Sequence, residues 1–353
     1  MNRMPVLEVQ HLFKYFRGRQ SIFRRGDSFV KAVDDVSFTL QGGEVLALVG
    51  ESGCGKTTIA RTLIGLEDQT DGQILFHGQL VGARERRARA GLAHLETGAS
   101  VGTREHRMLP HIALKKLRQH AQMIFQDPYE SLNPRSTIFE IVEEPLVVHG
   151  LARGRAERLA QVQKALEEAG LRPAEDYFAR YPHELSGGQR QRVVIAAAMV
   201  LEPELLLADE PVSMLDVSIR AEILNLLREL QQKRGVSIVF ITHDLSTVAY
   251  FADRIAVMYL GRIVESGEAQ EVLRSPQHPY TKALLSVVPV PNPRLRRERI
   301  ILQGETPNAA QVPAGCRFHP RCPVALEECR RIDPPYVSVS STHQAACLRV
   351  SAG

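Results

Sequence analysis

The run Gly50-Glu51-Ser52-Gly53-Cys54-Gly55-Lys56-Thr57 constrains the fold of this chain more than any other, because it fits the spacing Gly-x4-Gly-Lys-Ser/Thr. The glycines let the backbone curl so that successive N–H groups face one anion at the start of a helix. Lys56 adds a mobile positive charge, and the Thr57 hydroxyl suits Mg2+. The flanks agree with that reading. Glu44–Val49 is a short apolar strand after a Gly42-Gly43 turn, and Thr57–Ile64 has helix character. A chance glycine-rich turn would need neither flank. The segment predicts a strand, a phosphate-binding loop and a helix, with a nucleotide such as ATP as ligand.

A second apolar strand, Leu205-Leu206-Leu207-Ala208, runs into two carboxylates, Asp209 and Glu210, about 150 residues further on. Such a strand end places Asp209 near Mg2+ and leaves Glu210 to polarise an attacking water. Alone the pattern is common; behind a phosphate loop it carries weight.

The rest of the chain organises around these two strands. Val6–Val9 and Phe29–Leu40 read as strands separated by a polar loop at Arg17–Ser28, and Ser237–Thr242 reads as a further apolar strand after the helix Ser218–Arg234. Short apolar strands alternating with helices predict an α/β fold with a mostly parallel sheet covered on both faces. Helical periodicity dominates from Glu140 to Glu204, broken at Pro173 and Pro182, and predicts a helical subdomain inserted at about 127–200. Val81–His111 is a long polar stretch rich in Arg, Gly and Ala, read as an inserted surface excursion. Beyond about Gly267, Pro276, Pro279, Pro289, Pro291 and Pro293 mark a linker into a separate module. The expected domains are therefore 1–267 and 268–353.

Composition matters here for what it excludes. With 353 residues, 44% hydrophobic and 24% charged, the chain has the balance of a globular protein. No apolar run reaches the ~18–20 residues of a membrane span, and Met1–Pro5 lacks a signal-peptide pattern. The expectation is a cytoplasmic chain whose membrane role, if any, comes through a partner. The net charge of +4 and the basic runs Arg84–Arg89 and Arg294–Arg299, without interleaved aromatics, do not argue for nucleic acid.

Four further elements bring a family into view. Leu185-Ser186-Gly187-Gly188-Gln189, followed by Arg190-Gln191-Arg192 and an apolar helix, resembles the signature motif of ABC ATPases. Gln126 resembles the glutamine of the Q-loop, His243 the switch histidine, and Ser213-Met214-Leu215-Asp216 the D-loop, with Asp216 as its aspartate. Each has a bland reading alone: a strand-end glutamine, a loop histidine, a helix N-cap. Their order and spacing carry the resemblance over about residues 6–267.

That resemblance implies two such domains meeting head to tail, with ATP between the phosphate loop of one and Leu185–Gln189 of the other. It implies Glu210 as general base and His243 at the γ-phosphate. Gln126 would join Thr57 and Asp209 around Mg2+ and link it to the helical subdomain. Gly50–Thr57 and Thr58 would wrap the phosphates, and an aromatic near the first strand, Phe16 with Tyr15 as rival, would stack on adenine. Val212 and Met214 depart from the family's usual Thr and Ala before the D-loop aspartate, and Asp216 itself is intact.

Ser275-Pro276-Gln277-His278-Pro279-Tyr280-Thr281, Gly304-Glu305-Thr306-Pro307 and Gly315–Pro323 resemble the oligopeptide and dipeptide transporter ATPases, extending the likeness to nearly the whole chain. It implies an ATPase energising import of di- or oligopeptides, with nickel or glutathione import as the alternative. The implied partners are a second ABC ATPase, expected to be a paralogue, two transmembrane permease subunits and an external substrate-binding protein. The implied place is the cytoplasmic face of a bacterial inner membrane. A soluble ABC ATPase acting on nucleic acid or ribosomes is a rival; it typically carries two nucleotide domains or long coiled coils, which this chain lacks.

Cys316, Cys322, Cys329 and Cys347 crowd into the last part of the chain. Four thiols suit sulfur-only coordination of either Zn2+ or an iron–sulfur cluster, and free buried cysteines are the plain alternative. The family resemblance implies a [4Fe–4S] cluster. Cys54, in the phosphate loop, need not be reactive, but its place there makes ATP binding open to thiol reagents, against which nucleotide should protect.

Overall fold

The computed structural model describes residues 4–17, 29–81, 111–152, 154–288 and 299–350. Strands β1 (Leu7–Arg17), β2 (Phe29–Leu40) and β3 (Val45–Val49) lead into helix α1 (Lys56–Leu63). Then come β4 (Asp71–Phe76), β5 (Gln79–Val81), β6 (His111–Ile112), α2 (Leu114–His120) and β7 (Ala121–Ile124). A helical block follows: α3 (Pro128–Ser131), α4 (Ile138–His149), α5 (Arg155–Glu168), α6 (Glu175–Phe178) and α7 (Gly187–Met199). The chain returns to alternation with β8 (Leu205–Asp209), α8 (Val217–Arg234), β9 (Ser237–Thr242), α9 (Leu245–Phe251), β10 (Arg254–Tyr259) and β11 (Arg262–Glu268). It closes with α10 (Ala269–Arg274), α11 (Pro279–Ser286), β12 (Val337–Ser338) and β13 (Gln344–Ala345).

Two sheets form rather than one. The larger runs β12-β13-β11-β10-β3-β9-β8-β7. Its neighbours from β10 to β7 pair parallel, whereas β11, β13 and β12 add antiparallel. The smaller runs β2-β1-β4-β5-β6 and is antiparallel except between β5 and β6. The mostly parallel expectation thus holds for the central strands, and the whole is mixed.

The parallel centre is where burial is complete. Every residue of β3, β8 and β9 is buried, as expected of strands covered on both faces. Alternate side chains sort onto opposite faces. Leu206, Ala208, Ile238 and Phe240 face the core shared with α4, α5, α7 and α8, while Leu205, Leu207, Val239 and Ile241 face the core beneath the second sheet and α1. Local signals end the helices as well. Thr137 and Glu140 form a capping box on α4, and Gly150 and Gly235, both left-handed, close α4 and α8.

The segment after Gly267 lies on this frame. Tyr280 and Phe318 pack with Tyr259, Val257 and Val49 in a third core, and β13 pairs with β11. Pro279, read from sequence as part of a linker, is instead the first residue of α11, a position where its missing N–H costs nothing. Pro289, Pro291 and Pro293, most of the Arg294–Arg299 run, and nearly all of the Val81–His111 excursion fall outside the described residues. Among the described residues no helix is long and apolar enough to cross a membrane.

Candidate functional site

Most of the candidate residues gather at the carboxyl ends of the central strands, where open α/β sheets present their loops. The phosphate loop leaves the end of β3. Gly50 has φ 155°, and a Cβ there would stand 2.2 Å from the Met258 carbonyl oxygen; at Gly55, φ 108°, it would stand 2.1 Å from that of Ala32. Neither position tolerates a side chain. Lys56, only 4% exposed, donates from Nζ to the carbonyls of Gly50 at 2.8 Å and Glu51 at 3.0 Å. Gly53 and Ser52 are exposed, and Thr58 is half-buried.

Asp209, the last residue of β8, is 2% exposed, and its Oδ1 accepts from Thr57 Oγ1 at 3.1 Å. Burial raises its carboxyl above the ordinary value; the Thr57 hydroxyl opposes that rise and the Glu210 charge adds to it. Thr57 and Asp209 are hard oxygen donors of the kind Mg2+ takes.

Glu210 turns the chain out of the sheet with φ 45°, a left-handed conformation that a non-glycine residue adopts only when its surroundings hold it. Its N–H is fixed by the Ile241 carbonyl at 2.9 Å. Its Oε2 takes two contacts, Gln126 Nε2 at 3.2 Å and His243 Nδ1 at 3.1 Å. Gln126 follows β7 and His243 follows β9, the two neighbours of β8. Three adjacent strands thus deliver three polar side chains to one point.

Leu185–Gln189 forms a separate feature. Ser186 caps α7, accepting from Gln189 N–H at 3.3 Å while Gln189 Oε1 accepts from Ser186 N–H at 3.0 Å. Gly187 and Gly188 make the first turn, and Leu185 is buried. No hydrogen bond among the described residues joins this turn to Gly50–Thr57. Asp216 occupies the N-cap position of α8 without a side-chain cap bond. Phe16, at 37% exposure, lies beneath the Lys14 ammonium, 4.5 Å from its ring centroid. Tyr15 is committed elsewhere, its hydroxyl bonded to Asp34.

All five cysteines are free of disulfides. Cys54 is 3% exposed; burial raises its thiol, against the pull of Lys56, so the folded loop does not present a reactive thiolate. The four C-terminal cysteines gain no support as a metal or cluster shell. Among the described residues no group of three or more His, Cys, Asp or Glu is disposed to hold a metal ion. Burial first, and the neighbouring thiols next, push Cys316 up to about 11, and Cys322 and Cys347 are raised too. The Cys329 sulfur instead accepts from the Leu326 N–H at 3.4 Å. Cys329 and Cys347 are buried, and Cys316 and Cys322 are half-buried.

Sequence reasoning also missed contacts. The Tyr280 hydroxyl accepts from the Glu51 N–H at 2.8 Å, and Thr306 and Arg321 bind the Glu51 carboxylate. All three sit in motifs singled out by resemblance alone, where no local pattern announced a contact with the phosphate loop.

The family model for ABC transporters matches residues 33–213, and that for the oligopeptide/dipeptide transporter C-terminal region matches residues 264–329. The chain is 46% identical to the oligopeptide transport ATP-binding protein AppF of Bacillus subtilis (strain 168), covering 98% of each protein. It is 43% identical to OppF of Haemophilus influenzae (strain ATCC 51907 / DSM 11121 / KW20 / Rd), over 99% of this chain and 98% of that protein. Among solved structures, the ATP-binding cassette MJ0796 bound to ADP and Pi superposes with a TM-score of 0.59 at 25% identity, over 74% of this chain and 98% of that one. The cbiO1 protein of Clostridium perfringens does so at 0.58 and 27%, over 77% and 91%.

Proposed function

The chain belongs to the ABC transporter ATP-binding proteins of the oligopeptide/dipeptide branch, and we infer that it hydrolyses ATP to energise peptide import through a membrane permease. The observation that carries the hydrolytic reading is the convergence of Gln126 and His243 on Glu210 beside the Thr57–Asp209 pair.

In this reading the β- and γ-phosphates lie on the N–H groups of Gly50–Thr58, at the N-terminus of α1, with Lys56 turned onto them. Phe16 lies against the adenine. Thr57, Asp209 and Gln126 would hold Mg2+, which when bound offsets the phosphate charge. Glu210 takes a proton from water as its oxygen bonds to the γ-phosphorus and the bond to the β-phosphate oxygen breaks. His243 donates a hydrogen bond to the γ-phosphate and, through Glu210, reports its presence. Gln126 stands where β7 enters the helical block, so the same contact reaches α3 to α7.

One chain supplies half of the donors around a γ-phosphate. Ser186, Gly187, Gly188 and Gln189 form a helix N-terminus suited to the other half, on a second ATPase subunit, with Asp216 at the junction. We assign 1–267 to the nucleotide-binding domain, with its helical subdomain at about 127–200, and 268–353 to the C-terminal domain. The subunit would sit peripherally on the cytoplasmic face of the membrane, held by two permease subunits fed by an external binding protein.

Co-expression tests this: the chain should sediment with membranes only when its permease is present, and vesicles carrying both should take up a labelled peptide with ATP. Peptide uptake independent of ATP, or membrane binding without a permease, would remove the reading.

A further inference from the structure

Three motifs outside the nucleotide cassette converge on one phosphate-loop residue, Glu51, and the cycle described above uses none of them. The Tyr280 hydroxyl accepts from the Glu51 N–H at 2.8 Å. Arg321 grips the Glu51 carboxylate with both arms of its guanidinium, Nη1 to Oε2 at 2.7 Å and Nη2 to Oε1 at 3.1 Å. The Thr306 hydroxyl donates to the same Oε2 at 2.6 Å and accepts from Arg321 Nη1 at 3.1 Å. The Glu51 backbone and side chain are thus both held by residues more than 200 positions away.

Two of the holders are anchored in turn. Tyr280 is fully buried, with its ring 4.7 Å from that of Tyr259 and 5.4 Å from that of Phe318. Arg317, four residues before Arg321, pairs with Asp34 of β2 and donates to the Leu260 carbonyl at 2.5 Å. The Ala309 carbonyl accepts from the Lys31 N–H at 3.1 Å. One short C-terminal stretch therefore fastens the phosphate loop and the β2 strand to each other. A bidentate, partly buried arginine–carboxylate pair fixes geometry in a way a surface lysine cannot.

The contact has a route to the ligand. The Glu51 carbonyl accepts from Lys56 Nζ at 3.0 Å, so a shift of Glu51 moves an anchor of the phosphate-binding ammonium. It also tilts the loop peptides whose N–H groups face the phosphates.

We propose that Arg321, Thr306 and Tyr280 are positioning residues for ATP, acting through Glu51, so that the C-terminal region sets the affinity of the phosphate loop. This rests on the nucleotide reading given above. ATP binding and the fastening of residues 306–321 are then linked, each strengthening the other.

Steady-state hydrolysis and ATP binding by the full chain, with thermal unfolding alongside, test this. Arg321→Ala should raise KM and Kd for ATP about ten-fold and leave kcat within about two-fold. Arg321→Lys, which keeps the charge but not the fork, should fall between the two, and decides the matter if the alanine variant does not fold. Adding Arg321→Ala to Glu51→Gln should cost no further affinity, because both act through one contact. A lowered melting point with unchanged KM and Kd would make the contact a mere fastening and overturn the proposal; so would a loss confined to kcat. A wild-type chain that fails to bind ATP would overturn the nucleotide reading itself, whereas a wild type that binds alongside unaltered variants would overturn this inference alone.

Discussion

The hydroxyl of Thr57 donates to Oδ1 of Asp209 at 3.1 Å, joining two side chains 152 residues apart in the chain. The pair brings two oxygen donors to one point before any cation is considered. Asp209→Asn is expected to shift the Mg2+ dependence of phosphate release upward by roughly ten-fold or more. Thr57→Ala should do so more weakly. A Mg2+ titration of hydrolysis checks this, and an unshifted curve for Asp209→Asn would separate that residue from the cation.

Phe16 and Tyr15 are adjacent and differently engaged, one exposed beneath Lys14 and the other bonded to Asp34. Phe16→Ala is expected to weaken ATP binding by about ten-fold, the size of one aromatic–base stack. GTP binding measured in parallel separates adenine stacking from general loosening of β1.

Cys54 is buried, and its thiol is raised by that burial against the pull of Lys56. Alkylation at neutral pH should be far slower in the folded chain than in denaturant, with or without ATP. Mass spectrometry of the peptide containing Cys54 reads the rate. Equal rates in the two states would contradict the burial.

His278 is fully buried beside Tyr280, capping α11 by accepting from the Tyr280 N–H at 3.1 Å. Burial, with Lys282 adding, pushes its imidazole down from 6.5 to about 3. The unfolded chain therefore takes up this proton first as the pH falls. The stability is complete above about pH 6.5 and is lost as the pH drops from there toward about 3, by at most about 1.4 kcal/mol per pH unit. His278→Asn keeps a cap acceptor without a titrating ring. Its melting temperature should fall less than that of the wild type between about pH 7 and pH 5.

Much of the site is legible in sequence because its signals are local. Gly50–Thr57 and the Ser186–Gln189 cap are single turns whose residue types dictate their backbone. The strands β8 and β9 declare themselves as short apolar runs. What stays hidden has long-range causes. β1 pairs Leu7 with Leu40 on one side and with Phe76 on the other, a register no short window contains, so the second sheet goes unseen. The Arg321–Glu51 pair spans 270 residues, and neither residue differs locally from any exposed charge. The cysteine spacing suggested a ligand shell, and no group of three or more His, Cys, Asp or Glu among the described residues supports it.

In the proposed cycle, hydrolysis and transport both pass through the Glu210 carboxylate. Peptide uptake and phosphate release, measured together in vesicles carrying the chain with its permease, compare wild type with Glu210→Gln. The account predicts that the variant binds ATP as tightly as wild type but loses both activities by a factor of roughly 100 or more. Wild-type uptake and phosphate release by Glu210→Gln would contradict it.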